Sequence, residues 1–209
     1  MRSVFDEWDP GMGKHEAGYA RIERDLYPTP SWVTELLSKV ANVHSKDVWE
    51  CACGDGRMSD ALIDAGARVF STDVVDYGYP GFNGIFDFMS DRCMAGNFAG
   101  IITNPPFGPR GKWAERFIAS GLQRMGNGFL ALLLPADFDS ARTRMHLFGN
   151  CQRFAGKLVL TQRVKWFEHP TNPRMQPKEN SAWYLWGNIE LRRLKALAPV
   201  IHYAPEMAA

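Results

Sequence analysis

Short apolar segments alternate with amphipathic ones along most of the chain, and this alternation constrains the fold more than any other feature of the sequence. Helical periodicity occurs at 31–40, 58–65, 113–124 and in part of 139–149. Strands that alternate with helices form a mostly parallel sheet with helices on both faces. We therefore predict an α/β fold in one domain over residues 1–209. Seven strands are predicted, at 47–52, 68–72, 85–89, 101–103, 129–134, 158–162 and 181–186.

Two segments do not follow the alternation. Residues 1–26 are polar with scattered Gly, and we predict a mobile N-terminal arm there. Residues 163–180 are rich in Pro and polar side chains, and we predict a long loop that contacts the substrate. Between them, Tyr27-Pro28-Thr29-Pro30 is predicted to form a rigid extended turn, because each Pro disfavours helix in the residue before it. Ser31 is the predicted cap of the first helix.

The composition argues against a membrane protein and against disorder. The hydrophobic share is 45% and the charged share 22%, which is typical of globular proteins. No apolar run approaches the roughly 18 residues of a membrane span, and the N-terminus lacks the apolar stretch of a signal peptide. We therefore expect a cytoplasmic protein. The four cysteines contain no CxxC pair, which favours reduced thiols over a zinc site, so we predict no bound metal.

Charge is distributed unevenly between the two halves of the chain. Residues 1–100 hold 9 Lys and Arg against 16 Asp and Glu, a balance of −7, whereas residues 101–209 hold 15 against 7, a balance of +8. A surface of one sign attracts polyanions, although an ordinary solvated surface explains the same pattern equally well. No acid lies between Asp139 and Glu168, but six basic residues do: Arg142, Arg144, Arg153, Lys157, Arg163 and Lys165.

A glycine turn follows the first predicted strand, and an acid ends the second. The turn lies in Glu50-Cys51-Ala52-Cys53-Gly54-Asp55-Gly56, and the acid is Asp73. Glycines after a strand let the backbone approach a ligand closely, and an acid about 20 residues later can accept both hydroxyls of a ribose. The GxGxxG fingerprint of dinucleotide sites is absent, because Ser59 occupies its last position. The segment therefore indicates a smaller, adenosine-containing cofactor.

The motif Asn104-Pro105-Pro106-Phe107, after the fourth predicted strand, is the strongest signal in the chain. Two prolines cannot continue a central strand, so they must form a fixed loop at its end. They direct the Asn104 side chain and the Pro105 carbonyl, both hydrogen-bond acceptors, towards one point, and Phe107 offers a stacking face. Converging acceptors suit an amino group. An Asx-type turn with a packed Phe is the structural alternative, but the position at a strand end favours catalysis.

These motifs resemble those of class I S-adenosylmethionine-dependent methyltransferases, especially the bacterial and phage enzymes that methylate adenine N6 in DNA. The resemblance extends from Tyr27 to about Gly187. It implies a Rossmann-like, seven-stranded sheet whose last strand is antiparallel, and S-adenosyl-L-methionine as the cofactor. The implied catalytic loop is Asn104, Pro105, Pro106 and Phe107. The implied cofactor contacts are Thr29, Pro30, Glu50, Ala52, Gly54, Gly56, Asp73, Asp87 and Phe88, with Val74 and Asp76 competing for the adenine pocket.

Larger members of this family carry a separate target-recognition domain, for which this chain has no room. Residues 163–180 are the only sizeable insert, so we expect low sequence selectivity, or recognition supplied by a partner or by a homodimer. Trp166 or Phe167 is predicted to stack on a flipped base, whereas Trp183 and Trp186 are predicted to lie in the core. The predicted nucleic-acid contacts are Lys112, Arg142, Arg144, Arg163, Lys165 and Trp166.

The resemblance implies transfer of a methyl group to an exocyclic amino group of a nucleic-acid base, with adenine N6 in DNA favoured over RNA. Two alternatives stay open at this point. One is methylation of an RNA base or of a protein glutamine, because similar Asn-Pro-Pro-aromatic loops occur in those families. The other is a non-catalytic nucleic-acid-binding subunit with the same fold, which the presence of Glu50, Asp73 and Asn104 disfavours.

Overall fold

A computed structural model describes residues 26–92, 96–166 and 179–191 of the protein. Most of the predicted arm (1–25) and of the predicted substrate loop (167–178, with Phe167) lies outside these residues. Three α-helices are described: α1 (Ser31–Val40), α2 (Arg57–Asp64) and α3 (Lys112–Arg124). Seven strands are described: β1 (Asp47–Glu50), β2 (Arg68–Asp73), β3 (Phe82–Ile85), β4 (Gly100–Thr103), β5 (Phe129–Pro135), β6 (Phe154–Val159) and β7 (Ser181–Gly187).

The seven strands form one sheet in the order β3-β2-β1-β4-β5-β7-β6. β7 runs antiparallel to both β5 and β6, and the other neighbouring pairs are parallel. The predicted mostly parallel sheet with an antiparallel last strand is therefore confirmed. The chain first builds outward from β1 to β3, then returns to place β4 on the other side of β1. Open α/β sheets bind ligands at the carboxyl ends of the strands where the order reverses, which here is the junction of β1 and β4.

β5 lies at the centre of the fold and is buried on both faces. Its even-numbered leucines, 130 to 134, pack in the same cluster as Trp113, Phe117 and Ile118 of α3. Its odd-numbered residues, 129 to 133, pack with apolar side chains of α1 and α2. Alternate residues of a strand point to opposite faces, so one uninterrupted apolar run supplies both layers of the core. Helices therefore cover both faces of the sheet, as the alternation of elements predicts.

The indoles of β7 are confirmed as core residues. Trp183 and Trp186 are both 0% exposed. The Trp183 ring nitrogen donates to the Val33 carbonyl at 3.0 Å, and that of Trp186 donates to the Leu147 carbonyl at 2.8 Å. A buried indole usually finds an acceptor for its N–H group. Each ring thereby ties the antiparallel strand to an element on a different face of the sheet.

The prediction of the third strand was wrong in position. Apolar residues 85–89 suggest a strand, yet β3 ends at Ile85, which is 69% exposed, and residues 86–89 leave the sheet. The Asp87 carboxylate accepts the Met89 backbone N–H at 2.9 Å. This local bond offers the backbone an alternative to the ladder, while Phe86 and Phe88 still bury their rings in the core from a loop.

Three other boundaries also differ from the prediction. The sixth strand is Phe154–Val159 rather than 158–162, because it pairs in antiparallel register with β7. The segment 139–149 forms two short 3₁₀ turns, Phe138–Ser140 and Arg142–Leu147, instead of an α-helix. Helix α1 has Pro30 at its N-cap with no side-chain bond, so Ser31 does not cap it.

Every helix among the described residues is too short or too polar to cross a membrane.

Candidate active site

A cavity opens at the carboxyl ends of β1, β2 and β4, where the order of the sheet reverses. It brings together three segments that are far apart in sequence: the turn before α1, the glycine turn after β1 and the loop after β4. Residues of both motifs that carry the sequence prediction, 50–56 and 104–107, thus share one cavity. The predicted site residues Pro30, Gly56, Pro105 and Phe107 are not part of its lining. Its lining includes Tyr27, Thr29, Glu50, Ala52, Cys53, Gly54, Asp73, Val74, Tyr77, Asp87, Phe88, Asn104 and Pro106.

The glycine turn needs both of its glycines. Gly54 and Gly56 have φ values of +53° and +86°, a region that side chains with a Cβ adopt only at a cost. A Cβ on Gly56 would also lie 2.1 Å from a ring carbon of Tyr79. The turn is held to β2, because the Gly54 N–H donates to the Asp73 carboxylate at 2.9 Å and the Cys53 N–H donates to the Thr72 carbonyl at 3.0 Å.

Asp73 ends β2 with a fixed orientation. Its carboxylate accepts the N–H groups of Gly54 at 2.9 Å and Val74 at 2.7 Å. The side chain is only 7% exposed and lines the cavity. A carboxylate retains further acceptor sites after two such bonds. Asp73 can therefore accept hydroxyl groups of a ribose from the position that the sequence predicts, and Val74 beside it lines the same wall.

Glu50 is a fully buried acid with one unsatisfied oxygen. Its Oε1 accepts the Thr103 hydroxyl at 2.5 Å, whereas Oε2 has no hydrogen-bond partner. Burial raises the pKa of Glu50 to about 8, despite the Thr103 hydroxyl and the nearby Ala52 backbone N–H, both of which act to lower it. Leaving a buried polar atom without a partner costs about 1–3 kcal/mol. A cationic group of a ligand at this end of the cavity would supply the missing partner, so the residues present fit a cofactor that carries an ammonium group.

The thiols of Cys51 and Cys53 form an apolar part of the same wall. Both are buried free cysteines, and burial raises the pKa of each thiol. They therefore remain neutral and are weak nucleophiles. Among the described residues no group of three or more His, Cys, Asp or Glu could hold a metal ion.

The far wall of the cavity is made by the loop after β3. Asp87 and Phe88 line the cavity, as predicted for the adenine end of a cofactor, and Phe88 is 1% exposed. Arg124 at the end of α3 holds this loop by donating to the carbonyls of Phe88, Ser90 and Arg92. Its guanidinium also lies 5.4 Å from the centre of the Phe88 ring. No motif or spacing in the sequence indicates this role of Arg124.

Asn104 lines the cavity with its side-chain amide already oriented. Its Nδ2 donates to the Thr29 hydroxyl at 3.1 Å and to the Tyr27 carbonyl at 3.3 Å. Because the nitrogen is committed to these two acceptors, the oxygen is the atom that can accept a hydrogen bond from a substrate. Pro106 lines the cavity beside it. The turn at 27–30 therefore positions the amide, a function that its two prolines alone do not reveal.

Pro105 and Phe107 occupy less exposed positions. Pro105 is buried, and Phe107 is half-buried and packs against the core cluster that contains α3. The Phe107 carbonyl accepts the Trp113 N–H at 3.1 Å, which fixes the loop to the start of α3. Trp166 packs 6.1 Å from the ring of Tyr27, edge to face, and is half-buried. The stacking roles of Phe107 and Trp166 stay predictions.

The predicted phosphate contacts fall into two groups. Arg142, Arg163 and Lys165 are exposed, as is Lys112, which pairs with Glu115 at 3.2 Å. Arg144 differs, because its side chain is only 17% exposed and pairs with Glu115 at 2.9 Å. It also lies 3.9 Å over the Phe138 ring and donates to two backbone carbonyls. Arg144 thus holds two loops together and is not presented to a ligand.

No protein-family model and no curated protein sequence matches the chain. Solved structures do match. A protein named as an RNA methyltransferase from Pyrococcus horikoshii has 16% identity and a TM-score of 0.53, over 75% of this chain and 78% of that one. A dimethyladenosine transferase from Plasmodium falciparum has 17% identity and a TM-score of 0.53, over 80% and 63%. The N-methyltransferase NodS from Bradyrhizobium japonicum has 12% identity and a TM-score of 0.52, over 76% and 94%.

The fold is that of the class I methyltransferases. At these identities the similarity establishes the fold and nothing finer, and the chain spans less than two thirds of the dimethyladenosine transferase. The predicted fold class is confirmed. None of the three is named as a DNA-adenine enzyme, so that part of the prediction stays a prediction.

Proposed function

We propose that the protein transfers a methyl group from S-adenosyl-L-methionine to an exocyclic amino group of a nucleic-acid base, with adenine N6 in DNA as the target. The observation that carries this proposal is the oriented amide of Asn104 in the same cavity as Glu50 and Asp73. Methyl transfer to an amino group needs a cofactor cradle and a hydrogen-bond acceptor beside it. The cavity contains both within the methyltransferase fold.

The cofactor cradle would be formed by residues of β1, β2 and the loop after β3. Asp73 would accept the ribose hydroxyls, and Asp87 with Phe88 would contact the adenine. Glu50 would hold the methionine ammonium with its unsatisfied Oε2, becoming ionised as it does so. When bound, S-adenosyl-L-methionine supplies an electrophilic methyl group, whose bond to sulfur breaks as the new bond to nitrogen forms.

The catalytic loop would position the amino group rather than activate it chemically. The Asn104 oxygen and the Pro105 carbonyl accept the two N–H bonds, which aims the nitrogen lone pair at the methyl carbon. Such positioning supplies much of the acceleration in a reaction between two bound groups. The two acceptors are strengthened as positive charge develops on nitrogen, and the surplus proton then leaves to water. The target base must first leave its stack, which costs about a few kcal/mol.

Charge favours a nucleic acid over a protein as the substrate, and the resemblance of the motifs to DNA-adenine enzymes favours DNA over RNA. The half of the chain that follows the catalytic loop has a balance of +8, and a positive surface suits a polyanion. One solved structure of the same fold is named a dimethyladenosine transferase, which is consistent with an adenine target. In this proposal a partner or a second copy would supply site selectivity.

The proposal is tested by transfer of tritiated methyl groups to separate pools of DNA, RNA and protein, followed by nucleoside analysis. We expect label in N6-methyladenine of DNA. Label in RNA alone would move the substrate to RNA, and label in protein alone would overturn the nucleic-acid assignment. Failure of S-adenosyl-L-methionine to bind in calorimetry would favour a binding subunit without catalysis.

The role of the loop is tested by Asn104→Ala. We expect a loss of at least about 100-fold in the transfer rate, comparable with removal of one preorganised hydrogen-bonding group from an active site, while the cofactor still binds. Asn127→Ala is the matched control, because Asn127 is exposed in the turn before β5, at the end of the strands opposite the cavity. Full activity of Asn104→Ala would remove Asn104 from the mechanism.

A further inference from the structure

The four residues after the catalytic loop form a tight turn that presents an arginine. Gly108-Pro109-Arg110-Gly111 closes with the Gly111 N–H donating to the Gly108 carbonyl at 3.2 Å. The Arg110 carbonyl is fixed by the Arg144 guanidinium at 3.0 Å. Arg144 in turn pairs with Glu115 of α3. The turn is therefore anchored to the catalytic loop on one side and to the loop after β5 on the other.

Arg110 adopts a backbone conformation that disfavours any side chain. Its φ and ψ values are +53° and +26°, and only one other described non-glycine residue, Ser45, has a positive φ. A residue with a Cβ loses about 1–2 kcal/mol in this region, so Gly or Asn would suit the turn better. Strained residues persist where the surrounding structure imposes them, and they cluster at functional sites.

The glycines on either side are required by packing, but position 110 is not constrained in this way. A Cβ on Gly108 would lie 2.3 Å from Trp113, and a Cβ on Gly111 would lie 2.8 Å from the Arg144 guanidinium. The Arg110 side chain is exposed, and its guanidinium makes no hydrogen bond or ion pair with the described part of the chain. Packing therefore explains the glycines and leaves the arginine without a structural role.

The electrostatic setting of Arg110 is positive. Residues 104–166 contain ten Lys and Arg but only three acids, Glu115, Asp137 and Asp139. Glu115 is neutralised by Arg144 and Lys112, and Asp139 is neutralised by Lys157 at 2.9 Å. These ion pairs involve two of the three acids and three of the ten cations, so the segment keeps an excess of positive charge outside them.

We propose that Arg110 binds a backbone phosphate beside the target nucleotide and so holds the flipped base at Asn104. The proposal rests on the proposed function for its substrate, and the chemistry recognised is the phosphodiester group that DNA and RNA share. A rigid turn that begins four residues after Asn104 can hold a phosphate at a fixed distance from the reacting base, whereas a cation on a flexible segment cannot. Arg suits this role because its planar guanidinium donates two parallel bonds to phosphate oxygens.

The inference is tested by the salt dependence of binding to short fluorescent oligonucleotides of single-stranded DNA, duplex DNA and RNA, read by anisotropy. One phosphate contact contributes about 0.9 to the slope of log affinity against log salt for duplex DNA and about 0.7 for single strands. We expect Arg110→Ala to lower the slope by these amounts and to weaken binding at 0.1 M salt about eightfold for the duplex and about fivefold for single strands. Arg110→Lys should retain most of the slope, and the affinity for S-adenosyl-L-methionine should not change in either variant.

Two further variants make the test specific. Arg110→Gly should lose the same affinity without lowering the urea midpoint, because Gly relieves the positive φ; a weaker fold therefore cannot account for its loss of binding. Lys39→Ala removes one exposed charge from the last turn of α1 and should leave the slope unchanged. An unchanged slope in Arg110→Ala would overturn the phosphate contact.

The experiment also separates this inference from the proposed function. Oligonucleotide binding is measured without methyl transfer. If the unaltered protein binds oligonucleotides and the slope depends on Arg110, but no methyl group is transferred, the phosphate contact stands and the catalytic proposal fails. If methyl transfer occurs and the slope does not depend on Arg110, the catalytic proposal stands and the phosphate contact fails. Absence of oligonucleotide binding by the unaltered protein overturns both.

Discussion

Replacing Glu50 by Gln should change how the stability of the protein depends on pH. The carboxyl group is 0% exposed, and burial raises its pKa to about 8 from an ordinary value of 4.5. A group with a raised pKa takes up a proton on folding. Its contribution to stability is therefore complete below about pH 4.5 and is lost as the pH rises towards 8. The glutamine variant has the same shape and no proton to lose.

The size of the effect follows from the two pKa values. One pH unit between them corresponds to about 1.4 kcal/mol. From pH 5 to pH 8 the unfolding free energy of the unaltered protein should fall by about 3–4 kcal/mol relative to that of Glu50→Gln. Urea unfolding of both proteins at several pH values measures this difference directly. A domain of this class has a total stability of about 5–15 kcal/mol, so the change is large enough to resolve.

The control is Glu35→Gln, which alters an exposed carboxylate on α1. A surface substitution of this kind should change the unfolding free energy by less than about 0.5 kcal/mol. If the curves of Glu50→Gln and the unaltered protein stay parallel from pH 5 to pH 8, Glu50 ionises as an ordinary carboxyl group. Glu50 is then not shielded from water with one oxygen lacking a hydrogen bond, as the cofactor proposal requires.

Two other substitutions test the walls of the cavity. Gly56→Ala should lower the unfolding free energy by about 2–4 kcal/mol, because it combines a positive φ with a contact at 2.1 Å to Tyr79. Gly126→Ala has a positive φ but open space around it, so its cost in urea unfolding should be smaller; equal costs would refute the steric argument. Arg124→Ala should weaken S-adenosyl-L-methionine binding in calorimetry about tenfold, the equivalent of one or two net hydrogen bonds, because it frees the loop that carries Phe88. Arg124→Lys should not restore the affinity, since one ammonium group cannot replace a guanidinium group that donates to three carbonyls. Restored affinity would show that Arg124 is not a positioning residue.

The fold could be predicted from the sequence because its signals are local and repeated. The apolar run of β5 and the glycines after β1 need no tertiary information to be recognised. The third strand was misplaced because periodicity does not distinguish apolar residues of a strand from apolar residues of a loop, and Phe86 and Phe88 are of the second kind. They enter the core from a loop, and the side chain of Asp87 between them bends the backbone away from the ladder.

Residues that line the cavity could be predicted from the sequence, but the residues that hold the surrounding loops in place could not. Asn104, Glu50 and Asp73 stand out because their residue types and spacing are unusual. Arg144 and Arg142 are both cations in a segment without acids, so the sequence does not distinguish them. Arg144, however, is partly buried and packs against Glu115 and Phe138. Whether a cation faces solvent or a neighbouring loop depends on contacts between distant segments. Arg110 was missed for a related reason, because its positive φ is visible only in three dimensions.

The junction of β1 and β4 would link the proposed cofactor binding to the proposed catalysis through two consecutive residues. Thr103 donates its hydroxyl to Glu50 on β1, and Asn104 donates its amide to Thr29 before α1. Thr103 ends β4 and Asn104 follows it directly, so the positions of the two side chains are coupled through adjacent backbone units. The acid that would hold the cofactor and the amide that would hold the substrate are thus fixed relative to each other by a parallel ladder, not by a flexible loop. Methyl transfer in line requires such a fixed relation, and the reversal of strand order produces it.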